Sequence, residues 1–195
     1  VDVLKRLVAQ ADVLTENFRL GVMEKLGVGY ETLRTENPAL VYCAISGYER
    51  TGPLAEKGGF GVIMQAFSGI MSVTGEDGGR PLKPGISVAD VNAGILAAFG
   101  ILAAYVQRLK DGKGTRVDTS LFQASLQQLY WFAAAYFHSG ALPTRNGTAH
   151  ALIAPYQVFE CANGSIAIGG GNQNSWWKIA DVLGHPEWKS DPRFD

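Results

Sequence analysis

Six consecutive apolar residues, Leu40-Val-Tyr-Cys-Ala-Ile45, lie between stretches of helical periodicity. A strand with one wet face alternates apolar with polar residues, whereas a strand covered on both faces need not. The run therefore reads as a strand buried within a parallel sheet, with helices on both faces. Parallel neighbours need long crossover connections, and the chain supplies them. Ala11–Glu16 and Thr115–Thr119 are further strand candidates. Helical patterns cover residues 1–10, 21–30, 30–36, 60–72, 91–110 and 120–139. Strands alternating with helices argue an α/β fold.

The pattern changes near residue 140. Gly140–His150 carries Pro143 and Gly147 and few apolar residues, so it reads as a linker. Beyond it, Tyr156–Glu160 and Ser165–Ile168 flank Asn163-Gly164, a hairpin signal. A helix follows from about residue 174 to 183. Two parts are thus expected, 1–140 and 141–195. Residues 1–10 look like the body of an amphipathic helix, with neither a cap nor an initiating Met. The chain accordingly reads as an internal piece of a longer protein.

A formal net charge of -1 gives no reason to expect nucleic acid or an anionic membrane as partner. Every long apolar run has a polar interruption, so no membrane span is expected. Cys43 and Cys161 are too few and too far apart in sequence for a disulfide framework or a zinc site, and the cytoplasm is the expected compartment. His138, His150 and His185 are scattered without metal spacing. No metal site is expected. Trp176 and Trp177, at the start of the last helix, read as packing residues.

Asp90 is the only ionisable residue among the twenty from Gly85 to Ala104. A carboxylate in such surroundings is held by hydrogen bonds or put to use. It stands where a Pro84-Gly85 loop gives way to a long apolar helix, expected to be buried. Backbone N–H groups and the helix dipole favour an anion there. Two readings stay open, a helix cap and an ionised nucleophile. Two other segments also carry paired readings. Gly169-Gly170-Gly171-Asn172-Gln173, between a strand and a helix, is either a flexible turn or a loop that approaches a ligand closely. Asn17-Phe18-Arg19, at the end of a strand, either faces a ligand crevice or starts a solvated basic helix.

Several segments together resemble one family. They are Asn17-Phe-Arg-Leu-Gly-Val-Met-Glu-Lys-Leu-Gly27, Asn37-Pro38, Ile45-Ser-Gly-Tyr48, Thr51-Gly-Pro53, Ser68-Gly69, Thr74-Gly75 and Val88-Ala-Asp90. Gly94, Lys113-Gly114, Val117-Asp118, Ala154-Pro-Tyr156 and Asp191-Pro-Arg-Phe194 continue the match. In number and order they resemble the class III CoA-transferases (the CaiB/BaiF family, with the formyl-CoA and carnitine CoA-transferases), to which the α-methylacyl-CoA racemases are related.

The resemblance implies a Rossmann-like large domain, the start of a smaller α+β domain, and homodimers whose chains thread one another. It implies coenzyme A and acyl-CoA as substrates, with no permanently bound cofactor, and a carboxylic acid as acceptor. Asp90 matches the catalytic carboxylate, which attacks the thioester and carries CoA as an aspartyl thioester. Asn17, Phe18, Val22, Lys25 and Leu26 match residues at the adenine and phosphate end of CoA. Gly169, Gly170, Gly171 and Gln173 match a glycine-rich loop that closes over the intermediate. The racemase histidine corresponds to Phe60, which cannot carry a proton, so transfer is expected over racemisation. The next position, usually acidic in the family, is Gly61. Racemase-like activity and a CoA-binding module with weakened catalysis are the alternatives.

Overall fold

The computed structural model describes residues 1–194. The chain divides into two compact units. One holds Val1–Ser72 and Leu82–Pro143, the other Val73–Pro81 and Thr144–Asp195. Residues 73–81, which the sequence groups with the first part, belong to the second unit. The N–H of Gly147 donates to the Gly75 carbonyl at 2.9 Å and ties them there.

In the first unit, strands β1 (Val13–Glu16), β2 (Val41–Ser46) and β3 (Arg116–Ser120) form a parallel sheet in the order β1-β2-β3. Val13 pairs with Val41, and Tyr42 with Arg116. Strand β2 is the middle one, and Val41 to Ala44 are buried. Burial on both faces is what its unbroken apolar run anticipates.

Helix α1 (Asp2–Val8) precedes β1, and α2 (Val22–Lys25) and α3 (Tyr30–Glu36) link β1 to β2. Val8, Met23, Val28, Leu33, Leu40 and Tyr42 make the core between these helices and the sheet. Asn37 fastens the turn into β2. Its Nδ2 donates to the carbonyls of Val8 and Ala11 at 3.0 and 2.9 Å, and its Oδ1 accepts from the Ala39 N–H.

The crossover from β2 to β3 contains α4 (Gly61–Ser68) and the long α5 (Val88–Asp111). One expectation fails on α5. Its apolar character is not general burial, because only Ala89, Ala93, Ala97 and Ala104 are buried. Val91, Ile95, Phe99, Leu102 and Leu109 are exposed. The reason is the closeness of the helix to the sheet. A Cβ at Gly100 would run into Val117 of β3, so this face takes the smallest residues and turns the large ones outward. By length and composition α5 is also long and apolar enough to cross a membrane, with a mean hydropathy of 1.6. Its alanine face, however, packs on β2, β3 and the next helix.

That next helix is shorter than its sequence pattern suggests. Residues 120–139 read as one helix but form α6 (Leu121–Gln128) and α7 (Tyr130–Ser139). The break is at Leu129, whose N–H turns back to the Leu126 carbonyl in a tighter, three-residue step. Ser120 caps α6 by accepting the Gln123 N–H at 3.1 Å.

In the second unit, β4 (Tyr156–Cys161) and β5 (Gly164–Gly169) form an antiparallel hairpin, followed by α8 (Gln173–Val182). Trp176 stacks on Trp188 at 5.9 Å and lies 4.9 Å from Phe194. It is a packing residue, as expected, while Trp177 is exposed.

Candidate functional site

The carboxyl ends of parallel strands open onto a crevice in α/β folds. In the first unit that place is a cavity of about 330 Å³, lined by Asn17, Phe18 and Arg19 after β1, Glu49 and Arg50 after β2, Lys57, Phe60 and Asp90.

Asp90 is the third residue of α5, inside the first turn. The cap position belongs to Ser87, whose side chain makes no capping bond. Asp90 is exposed. Its apolar sequence neighbours do not bury it, because they divide between an alanine face on the sheet and large residues facing outward. Among the described residues no hydrogen bond or ion pair holds its carboxylate. Across the cavity wall, α4 begins at Gly61 with Phe60 as its N-cap. A Cβ at Gly61 would collide with Asp90 Oδ2. The absent side chain therefore vacates the seat that the Asp90 carboxylate occupies. Phe60 is 77% exposed and turns a phenyl ring, without a proton to give or take, toward the same cavity.

Behind this wall lies a buried charged cluster that sequence reasoning missed. Glu16 ends β1 and is 5% exposed. Its Oε1 accepts from Tyr42 Oη at 3.1 Å and from Arg50 Nη2 in a shorter contact. Its Oε2 accepts from the Phe18 N–H at 2.8 Å. Arg50 also lies 3.7 Å from Asp118 on β3. A buried carboxylate is tolerable only when paired and fully hydrogen-bonded, and this one is both. Burial, with the charge of Glu16 added, raises the Tyr42 hydroxyl well above the ordinary tyrosine range, so it remains a donor. Nearby, burial raises Glu49 above its usual value, with Asp118 adding to the effect. The Cys43 thiol is pushed up to about 11 by burial, then by Asp118 and Glu16. It stays protonated at neutral pH and is no nucleophile.

The sequence-derived residues thus separate. Asn17, Phe18 and Asp90 share the cavity. Val22, Lys25 and Leu26, on or just after α2, are outside its lining. Lys25 and Leu26 are exposed there, and Val22 is half-buried. The glycine-rich loop is in the second unit, where Gly170, Gly171 and Gln173 line a cavity of about 550 Å³ with Ile153, Trp176 and Phe194. Gly169 closes β5. Asn172 caps α8 by accepting the Ser175 N–H at 2.9 Å, which already satisfies one donor of that helix end.

His185 Nδ1 lies 2.8 Å from Glu187 Oε1, and His150 packs edge-on against Tyr156. Among the described residues no group of three His, Cys, Asp or Glu could hold a metal ion.

Comparison with known proteins agrees over the whole chain. The family model described as CoA-transferase family III matches residues 1–195. A succinate–glutarate CoA-transferase of Agrobacterium fabrum is 38% identical over 191 residues, which is 98% of this chain and 48% of that protein. An acetyl-CoA:oxalate CoA-transferase of Acetobacter aceti is 40% identical over 189 residues, 96% of this chain and 49% of that protein. The crystal structure of a CAIB/BAIF family protein from Brucella suis superposes with a TM-score of 0.86 at 40% identity. That match covers 99% of this chain and 51% of the other. The chain spans about half the length of the relatives it matches.

Proposed function

The chain belongs to CoA-transferase family III, and from that premise we propose that the whole protein moves coenzyme A from an acyl-CoA thioester to a carboxylic acid through a covalent intermediate on Asp90. The observation that carries the proposal is the exposed, unpartnered Asp90 carboxylate in the cavity that Asn17 and Phe18 also line. With no partner among the described residues, the Asp90 carboxylate keeps its lone pairs for attack.

Asp90 attacks the thioester carbonyl, and the tetrahedral adduct collapses to a mixed anhydride with CoA thiolate as leaving group. The thiolate attacks the Asp90 carbonyl of that anhydride. This releases the donor acid as its carboxylate and leaves an aspartyl-CoA thioester. The acceptor carboxylate attacks the new thioester, giving a second anhydride and thiolate. Attack of the thiolate on the acceptor carbonyl then forms the product thioester and restores Asp90. One difficult exchange becomes four acyl transfers between good partners. Near-attack geometry, with reacting atoms about 3–3.5 Å apart, is the task of the cavity wall. With Phe60 in place of a base, exchange of the proton α to the thioester loses a participant.

Asn17 and Phe18 hold the nucleotide end of CoA in this reading, with Val22, Lys25 and Leu26 beside it. The loop of Gly169, Gly170, Gly171 and Gln173 covers the intermediate. A ring-threaded homodimer in a reducing compartment, where the exposed free thiol of Cys161 persists, completes the proposal. Relatives named for succinate, glutarate and oxalate make dicarboxylates the first acceptors to try. The test is a mass-spectrometric screen of acyl-CoA and acid pairs on the complete protein. A new acyl-CoA with the wild type and none with Asp90→Ala supports the reading. Equal product from both contradicts it.

A further inference from the structure

We infer that Glu16 is a positioning residue whose buried carboxylate sets the backbone of the Asn17–Arg19 segment for CoA binding, with Arg50 as its counterpart. The inference rests on the reading of Asn17 and Phe18 as CoA contacts.

The segment leaves β1 without a strand partner, and the peptide groups of Phe18 are held by side chains instead. The Phe18 N–H donates to Glu16 Oε2 at 2.8 Å, and the Phe18 carbonyl accepts from Arg50 Nη2 at 3.5 Å. Glu16 and Arg50 are paired to each other, and Tyr42 Oη donates to Glu16 from the middle strand. Phe18 is therefore gripped on both sides by one ion pair, which β2 and β3 hold through Tyr42 and Asp118.

Two physical arguments favour positioning over plain stabilisation. A buried ion pair is a poor source of stability, since apolar replacements of equal volume often do as well. What it offers here is direction, because a planar guanidinium donates and a carboxylate accepts along preferred lines. The side chains of Glu16 and Arg50 are 2% and 6% exposed, so although Arg50 borders the cavity, neither offers CoA an exposed charge. Asn17 and the exposed ring of Phe18, by contrast, face the cavity. The pair acts through these neighbours. Without it, Phe18 loses its anchored peptide and the cavity rim moves.

The experiment uses the complete enzyme and steady-state kinetics with a fixed acceptor. Glu16→Gln keeps the shape and removes the charge. It should raise KM for acyl-CoA about tenfold, the worth of one charge-assisted hydrogen bond, while kcat changes by less than about threefold. The calorimetric Kd for CoA should rise in parallel. Arg50→Lys keeps the charge but loses the fork, and should raise KM about threefold. The double variant should raise KM by less than the product of the two, as for residues acting as a unit. Should Glu16→Gln fail to fold, Arg50→Lys and Tyr42→Phe carry the same test through KM. Folded variants that are merely less heat-stable, with KM and Kd unchanged, overturn the inference. Asn17→Ala separates the two levels. If it weakens CoA binding while Glu16→Gln does not, only the positioning role falls. If it leaves CoA binding intact, the underlying reading falls.

Discussion

Glu16 and Asp90 are carboxylates of the same unit, and the fold treats them in opposite ways. Glu16 stands behind the cavity wall, buried and bonded to Tyr42, Arg50 and the Phe18 N–H. Asp90 stands in the wall, exposed, against a glycine that leaves it room. A carboxylate whose lone pairs are spent is part of the frame. One whose lone pairs are free can attack. The contrast teaches that reactivity here comes from withholding partners, and rigidity from supplying all of them to the neighbouring group.

The contrast breaks first if Asp90 is dispensable. Asp90→Asn should lower CoA transfer by at least about 1000-fold, the scale of losing a covalent nucleophile, with CoA binding by calorimetry unchanged. The next largest effect is on stability. Glu16→Ala leaves the buried Arg50 charge with only its 3.7 Å contact to Asp118, which should cost about 3 kcal/mol in urea unfolding. Asp90→Ala, at an exposed site, should shift the same curve by less than about 0.5 kcal/mol. Equal shifts would erase the distinction. A smaller effect concerns the seat of Asp90. Gly61→Ala should push the carboxylate from the position it occupies at roughly 1 kcal/mol, about a fivefold fall in transfer, again with CoA binding retained.

The mildest prediction sets a scale for pairing without deep burial. Asp191 in the second unit accepts hydrogen bonds from the Arg193 guanidinium and backbone, which lower its pKa from 3.8 to about 2. The folded value lies below the unfolded one. Its contribution to stability is therefore present above pH 3.8 and is lost as the pH falls through about 2. Carboxyl NMR titration should show that midpoint, and Arg193→Ala should move it back toward the ordinary value.

Much of this arrangement is legible in the sequence where burial follows hydrophobicity. The run Leu40–Ile45 announces a strand covered on both faces, and Asn163-Gly164 announces the hairpin. Legibility ends where contact distance rather than hydrophobicity decides. On α5 the alanines are buried and the larger apolar residues exposed, because Gly100 and its neighbours lie close to Val117. No periodicity argument distinguishes that face. Asp90 reads as a lone carboxylate in apolar surroundings, yet its exposure depends on the same inversion. The Glu16–Arg50 pair joins positions far apart in sequence, and a glutamate ending a strand or an arginine in a loop gives no sign of a partner. The collision between a residue-61 side chain and Asp90 is likewise a tertiary fact. The resemblance marks Gly61 as a departure without saying what the missing side chain makes room for.

The central claim is that Asp90 carries the covalent intermediate, and it can be tested directly. The complete protein is incubated with acyl-CoA and no acceptor, quenched with hydroxylamine, digested and mapped by mass spectrometry. The account predicts a hydroxamate on Asp90 and an unmodified Glu16. No adduct at Asp90 in a preparation that transfers CoA once an acceptor is added, or an adduct on another carboxylate, would contradict it.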